Sequence, residues 1–211
     1  MAVILVRGTG ALQPLEWFIL DYGLTWTAPT KVDDRLLLVT IDDQDVENLG
    51  YYPLQDRDLA QAISILSRSQ PSAIGLNIYR NFSVPPGSEE LLQVIKQTPE
   101  LVVVEPGGTA LNLSPLVALK PQQRGIADIV LDPDGTVRRS LLAYRALVPS
   151  PTESSQTIKQ SLATRLALLH LQDQGVGIYA LPDQSVQWGK SRIAPLESNS
   201  GGYVIVVATL T

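Results

Sequence analysis

The chain has 211 residues, of which 45% are hydrophobic, so it is large and apolar enough to bury a core and is not disordered throughout. Its 21 acidic residues outnumber its 16 basic residues and give a net charge of −5, which argues against nucleic-acid binding because phosphate recognition needs a surplus of Lys and Arg. Cysteine is absent and His170 is the only histidine, which excludes disulfides, thiolate metal sites and most histidine-dependent catalysis.

The two ends of the sequence are apolar but short. No stretch of the sequence reaches the roughly 20 mostly apolar residues that a transmembrane helix needs. Met1–Val6 is also too short for the apolar core of a signal peptide with its flanks. Tyr203–Leu210 is an apolar, β-branched run with no capping residue after it. We expect both ends to be edges of a longer protein.

A stripe of apolar residues predicts an amphipathic helix near the start of the chain. The stripe has the spacing i, i+3, i+4 and i+7 and consists of Leu15, Phe18, Ile19 and Tyr22. Pro14 suits the first turn of such a helix, and Gly23 suits its end. We assign residues 1–30 to a membrane-proximal helix and linker, and residues 31–211 to the α/β core of a single domain.

Three nearly continuous apolar runs in the middle of the chain predict strands that are buried on both faces. The runs are Leu36–Ile41, Ala73–Ile78 and Leu101–Val104. Between them, apolar residues with helical spacing over Leu59–Leu66, and a helix start at Ser88, predict two helices. This alternation with short links indicates an α/β fold with a parallel βαβαβ core and helices packed on the sheet faces.

The later part of the sequence predicts antiparallel structure. Asp132-Pro133-Asp134-Gly135 has a proline and a glycine at the positions that a tight turn favours. Ile126–Leu131 and Thr136–Tyr144 are therefore predicted to be the arms of a β-hairpin that extends the core. A third helix is predicted over Ile158–Leu169, and short strands over Leu181–Ser200.

Polar residues follow each of the three predicted parallel strands, where ligands of open α/β sheets collect. They are Asp42 and Asp43 after the first strand, Asn77, Tyr79 and Arg80 after the second, and Glu105 after the third. Their oxygen atoms suit a cation, and Arg80 suits the anionic group of a small polar molecule. The alternative interpretation is structural, because Asp42 and Asn77 are residue types that accept backbone N–H groups in loops.

Other candidate chemistry is limited. Arg138 and Arg139 follow the predicted turn, and alternation along a strand places one of them inward, with Asp128 on the facing arm as a candidate partner. His170 lies within the third predicted helix and is interpreted as structural. Acidic residues rather than glycines follow the first predicted strand, so the sequence has no phosphate-binding loop at that place.

Several segments, in order along most of the chain, resemble the CHASE2 family of bacterial sensory domains. They include Leu12-Gln13-Pro14-Leu15-Glu16, Leu38-Val39-Thr40-Ile41-Asp42, Tyr52-Pro53-Leu54, Ile74-Gly75-Leu76-Asn77-Ile78-Tyr79-Arg80, Val84-Pro85-Pro86-Gly87, Asp132-Pro133-Asp134-Gly135-Thr136-Val137-Arg138-Arg139, Ser161–Leu169 and Ser200-Gly201-Gly202-Tyr203. The family usually has Asp where Asn77 stands here, which argues against a site with two carboxylates at Asp42 and position 77.

The resemblance implies a non-catalytic, extracytoplasmic sensor of a transmembrane receptor, with a histidine kinase, Ser/Thr kinase or adenylate cyclase as output. It implies membrane contact through flanking helices absent from this chain. The strand-end residues suggest a small ligand or cation as stimulus, the charge balance argues against a nucleic-acid partner, and no cofactor is expected. The helix over Pro14–Tyr22 and the segment Gly201–Leu210 are expected to carry the signal toward those helices. Two alternatives remain: a protein-interaction module that dimerises through the first helix, and a metal-dependent hydrolase on a Rossmann-like sheet.

Overall fold

The structure is a computed structural model that describes residues 9–27, 31–80, 82–106, 119–148, 155–183 and 185–194. These residues group into two units, which lie within Met1–Tyr52 and Pro53–Leu196. The predicted signalling segment Gly201–Leu210 lies outside the described residues. One domain over the whole chain stays a prediction.

The first unit contains two helices, α1 (Gln13–Thr27) and α2 (Asp43–Leu49). The N-terminal helix that the apolar stripe predicted is therefore confirmed, and it runs a turn beyond Gly23. Within α1 only Trp17 is buried, whereas the predicted stripe residues Leu15, Phe18, Ile19 and Tyr22 are exposed. The helix therefore has apolar side chains in contact with solvent along most of its length.

The prediction of a strand at Leu36–Ile41 is wrong. This segment forms no strand in the described structure, and the side chains of Leu36, Leu37 and Leu38 are 77%, 83% and 85% exposed. An apolar run predicts burial, but a strand also needs a neighbouring backbone to which it can hydrogen-bond, and the composition of the run does not specify that neighbour.

The second unit is built around a parallel three-stranded sheet, which confirms the predicted α/β class. Its strands are β1 (Ile74–Leu76), β2 (Leu101–Glu105) and β3 (Arg124–Ile126), in the order β1-β2-β3. Ile74 is paired with Leu101 and Val103 with Arg124. The sequence analysis did not predict β3, which begins just before the predicted hairpin arm. A short strand that starts with Arg and Gly lacks the apolar pattern by which strands are recognised.

Helices cover both faces of this sheet. On one face, α3 (Asp56–Arg68) and α4 (Ser88–Gln97) pack against Ile74, Leu101 and Val103 in the main apolar core. Successive strand residues point to opposite faces. Gly75 and Gly125 accordingly face α5 (Leu162–Leu171), which contacts all three strands.

The contact between α5 and the sheet depends on these two glycines. A Cβ atom at Gly125 would lie 2.8 Å from the Cα atom of Leu162, and one at Gly75 would lie 2.8 Å from Cδ1 of Leu166. Both distances are too short for a real Cβ atom. The absence of side chains at these two positions therefore lets α5 lie directly on the sheet.

Antiparallel strands complete the second unit. They are β4 (Ala143–Val148) paired with β5 (Ser155–Gln160), and β6 (Ile178–Ala180), β7 (Val186–Trp188) and β8 (Ser191–Ile193) in one small sheet. The predicted short strands after Leu181 are thus confirmed for β7 and β8. The predicted helix start at Ile158 is wrong, because Ile158 lies in β5 and Ser161 caps the helix.

The predicted turn at Asp132–Gly135 is present, but its arms are shorter than expected. Asp132 accepts the Gly135 N–H at 2.8 Å, and Gly135 has a positive φ of 79° that suits glycine. Beyond the turn, an isolated antiparallel bridge joins Val130 to Arg139. Among the described residues the two predicted arms pair with each other only at this bridge, since Ile126 ends β3 and Ala143 begins β4.

Candidate functional site

Asp42 and Asp43 lie in the first unit, at the start of α2. The Asp42 carboxylate accepts the Asp45 N–H at 3.0 Å, and the Asp45 carboxylate accepts the Asp42 N–H at 3.1 Å. This capping box is the structural role that the sequence left open for Asp42. Since Leu36–Ile41 is not a strand of the sheet, the argument from strand ends applies only to residues of the second unit.

Asn77 and Tyr79 follow β1, as predicted, and both are exposed. Burial of part of the Tyr79 ring raises the pKa of its hydroxyl, and the negative charge of Asp128 raises that pKa further. Asp128 follows β3. The carboxyl ends of β1 and β3 therefore place Tyr79 within electrostatic reach of Asp128.

Glu105 ends β2 and pairs with a lysine from β5. Its Oε1 lies 3.2 Å from Nζ of Lys159. Burial lowers the pKa of the neighbouring Arg165 guanidinium, while the charge of Glu105 acts in the opposite direction. The Glu105 carboxylate is thus already compensated by basic side chains of β5 and α5.

Arg80 is buried and lies in a structural cluster at the start of α3. Its Nη2 donates to the Leu54 carbonyl at 2.6 Å, and its Nε lies 3.8 Å from Oδ1 of Asp56. The other Asp56 oxygen, Oδ2, accepts hydrogen bonds from Ser83 Oγ, Val84 N and Ser88 Oγ. This cluster joins the loop after β1 to α3 and α4.

A cleft of about 500 Å³ opens beside the carboxyl end of β3. Three segments line it: residues 126–129 after β3, residues 137–141 after the turn, and residues 161–163 at the start of α5. Ligands of open α/β sheets bind outside the carboxyl ends of the strands, and ligand pockets commonly have volumes of about 300–1,000 Å³. The cleft is therefore the candidate site of the second unit.

The ion pairs at this cleft are not the expected pair between Asp128 and an arginine. Arg138 donates to Asp132 at 3.0 Å and to Asp134 at 2.7 Å, and Nε of Arg139 lies 3.1 Å from Oδ1 of Asp132. Hydrogen bonds from Arg138 lower the pKa of Asp134 to about 2. The expected Asp128 pair is wrong, because the turn carboxylates are closer to both arginines, and both guanidinium groups turn toward them instead of alternating.

The start of α5 forms one end of the cleft. Ser161 Oγ accepts the Thr164 N–H at 3.1 Å and caps the helix, while the Ser161 N–H donates to the Leu142 carbonyl at 2.8 Å. A parallel bridge joins Ser161 to Ile126 at the end of β3. The partial positive charge of a helix N-terminus thus lies at the cleft.

Sequence reasoning missed this cleft because its lining comes from three separate segments. The one available signal was Ser161, an N-cap residue type followed by a helical pattern. Because the helical spacing of apolar residues continues back to Ile158, the helix was predicted to begin there and not at Ser161. In the described ranges, no group of three or more His, Asp or Glu side chains is arranged to hold a metal ion. The helices that the structure describes include none long and apolar enough to cross a membrane.

Comparison with protein families identifies the chain. Residues 1–209 match the model of the CHASE2 domain. The chain belongs to the CHASE2 family. CHASE2 domains are extracellular, sensory and non-catalytic, so the α/β unit with its cleft is part of a sensory domain. No curated protein and no solved structure matches this CHASE2 domain.

Proposed function

We propose that this CHASE2 domain is the extracytoplasmic input of a bacterial transmembrane receptor with a cytoplasmic kinase or cyclase output. Membership of an extracellular sensory family supports the location and the role. The receptor relays a stimulus through membrane helices that flank this chain.

The observation that carries the proposal is the cleft at the carboxyl end of β3, which combines apolar walls with charged side chains. A stimulus shifts a receptor between two arrangements only by its different affinity for each of them. The cleft joins the sheet, the turn and α5, so a ligand bound there contacts three elements at once. Asn77, Tyr79 and Glu105 are proposed as the adjacent strand-end residues and Arg80 as a support of the loop after β1. Asp42 and Asp43 are proposed as supports of the start of α2 in the first unit.

The location is tested with paired topology reporters in the complete gene product that contains this chain. One fusion inserts alkaline phosphatase, which is active only outside the cytoplasm, into the exposed turn at Gly135. The other inserts β-galactosidase, which is active only inside the cytoplasm, at the same position. We expect phosphatase activity without β-galactosidase activity, and the opposite result would refute an extracytoplasmic sensor.

A second candidate function is dimerisation through α1, as the sequence suggested. The specific observation is a row of exposed aromatic side chains: Phe18, Tyr22 and Trp26 are 66%, 55% and 77% exposed. The Phe18 and Tyr22 rings stack at 6.3 Å, and the Tyr22 and Trp26 rings lie 5.1 Å apart. The row is one continuous apolar surface, and a second copy of the chain is the partner that we propose for it.

A further inference from the structure

The cleft beside β3 contains a carboxylate that no side chain in the described ranges neutralises. Asp128 lines the cleft and is exposed. The arginines that were expected to pair with it are bound to Asp132 and Asp134 instead. Among the described residues Asp128 forms no ion pair, and its negative charge adds to the effect of burial in raising the pKa of Tyr79. A cationic group of a ligand would be stabilised beside it.

The same cleft also contains the guanidinium group of Arg139, which has hydrogen-bond donors to offer a ligand. The side chain of Arg139 is 9% exposed and lines the cleft, and its Nε lies 3.1 Å from Oδ1 of Asp132. In the described part of the chain, its two terminal nitrogens make no hydrogen bond. A guanidinium presents its donors as a planar fork that matches a carboxylate. The N-terminus of α5 at Ser161 adds partial positive charge to the same cleft.

The two charged side chains belong to one small space. Asp128 and Arg139 both line the same cleft, and an isolated antiparallel bridge between Val130 and Arg139 joins the two segments that carry them. A ligand with an ammonium and a carboxylate on the same carbon atom presents one charge to each of these side chains.

Most of the other residues that line the cleft are apolar. They are Ile126, Ala127, Ile129, Val137, Leu141, Leu162 and Ala163, beside the polar residues Arg138, Ser140 and Ser161. The ligand therefore also needs an apolar part, which gains free energy when it leaves water for these walls. We propose that the cleft binds a zwitterionic α-amino acid with an apolar side chain, whose ammonium pairs with Asp128 and whose carboxylate pairs with Arg139. The inference rests on the proposed sensory function, since it names the class of stimulus.

The test uses isothermal titration calorimetry of the full 211-residue chain with L-leucine as the probe. We expect saturable binding with a Kd below about 1 mM. Two analogues separate the charges: 4-methylpentanoate lacks the ammonium, and 3-methylbutylamine lacks the carboxylate. Each is expected to bind about tenfold more weakly than L-leucine or worse, because 4-methylpentanoate leaves Asp128 without a cation and 3-methylbutylamine leaves the buried Arg139 guanidinium without the ligand carboxylate. L-Serine, which lacks the apolar part, is expected to bind at least tenfold more weakly as well.

The variant Asp128→Asn removes the carboxylate at an exposed position and is expected to fold, which circular dichroism checks. It should weaken L-leucine and 3-methylbutylamine about tenfold, whereas the anion 4-methylpentanoate should bind at least as tightly as before, because the variant removes a like charge. The matched control Glu90→Gln removes an exposed carboxylate on α4, which packs on the other face of the sheet, and should change none of the three affinities.

Three results would overturn the proposal: no heat of binding with L-leucine, equal affinity for L-leucine and 4-methylpentanoate, or unchanged L-leucine affinity in Asp128→Asn. The outcomes distinguish this proposal from the sensory function. An extracytoplasmic reporter pattern without L-leucine binding removes only the amino-acid ligand. A cytoplasmic pattern with L-leucine binding removes the sensory location and keeps the site.

Discussion

Asp56 shows how one buried carboxylate holds several loops together. Its side chain is 3% exposed, and its Oδ2 accepts hydrogen bonds from Ser83, Val84 and Ser88, while Arg80 lies beside its other oxygen. The backbone N–H of Asp56 donates to the carbonyl of Val84 at 2.8 Å. The loop after β1 is therefore attached to α3 by both the main chain and the side chain of this one residue.

The substitution Asp56→Asn is expected to lower the free energy of unfolding by about 3 kcal/mol. It keeps the size of the side chain but leaves the Arg80 guanidinium buried without a compensating charge, and breaking a buried pair in this way is costly. Urea unfolding followed by circular dichroism measures the change. The control Glu89→Gln, an exposed carboxylate in the first turn of α4, should change stability by less than about 0.5 kcal/mol. Equal stabilities of the two variants would contradict the structural role of Asp56.

At the scale of elements, the contact between α5 and the sheet makes a prediction that compares two glycines. Gly125→Ala places a methyl group 2.8 Å from the Cα atom and 3.0 Å from the N atom of Leu162, which are backbone atoms that move only with the helix. We expect it to destabilise the protein by about 1–3 kcal/mol. Gly75→Ala meets the Cδ1 atom of Leu166, the end of a flexible side chain, and should cost less. Chemical denaturation of both variants tests the order, and a larger loss for Gly75→Ala would show that α5 lies elsewhere.

The elements also show which parts of the fold the sequence predicts. Leu101–Val104 is fully buried between helices on both faces, so its apolar run correctly predicts a strand with two buried faces. Leu36–Ile41 is equally apolar but is not a strand in the described structure, because an apolar run does not specify which backbone will pair with it. β3 was missed since Arg124-Gly125-Ile126 has no pattern of its own and is defined by pairing with β2.

At the scale of the whole molecule, dimerisation through α1 is tested by sedimentation velocity at micromolar concentrations. The double variant Phe18→Ser and Trp26→Ser removes two aromatic side chains from the exposed row and should shift a dimer toward monomers, because less apolar area is buried between the copies. The control Tyr179→Ser alters an aromatic residue of the second unit that is 65% exposed and should leave the dimer unchanged. Monomers at every concentration of the unmodified chain would exclude this function.

The candidate site could be predicted only by its place in the fold. The rule that ligands collect at the carboxyl ends of parallel strands led to the edge of the sheet where the cleft lies, and it placed Tyr79 and Glu105 there. The partners of Arg138 and Arg139 depend on how the turn folds back over them, which residue spacing does not reveal. The resemblance to the CHASE2 family, by contrast, could be recognised from sequence motifs alone and is confirmed over residues 1–209.

The two glycines beneath α5 also determine how a disturbance at the cleft travels. Where side chains separate a helix from a sheet, rotamer changes absorb small displacements, but at Gly125 the main chain of the sheet lies directly against the main chain of Leu162. α5 has ten residues and so extends about 15 Å from the cleft at Ser161 to its far end at Leu171. A displacement of the first turn of α5 is therefore transmitted along the helix to its C-terminal end.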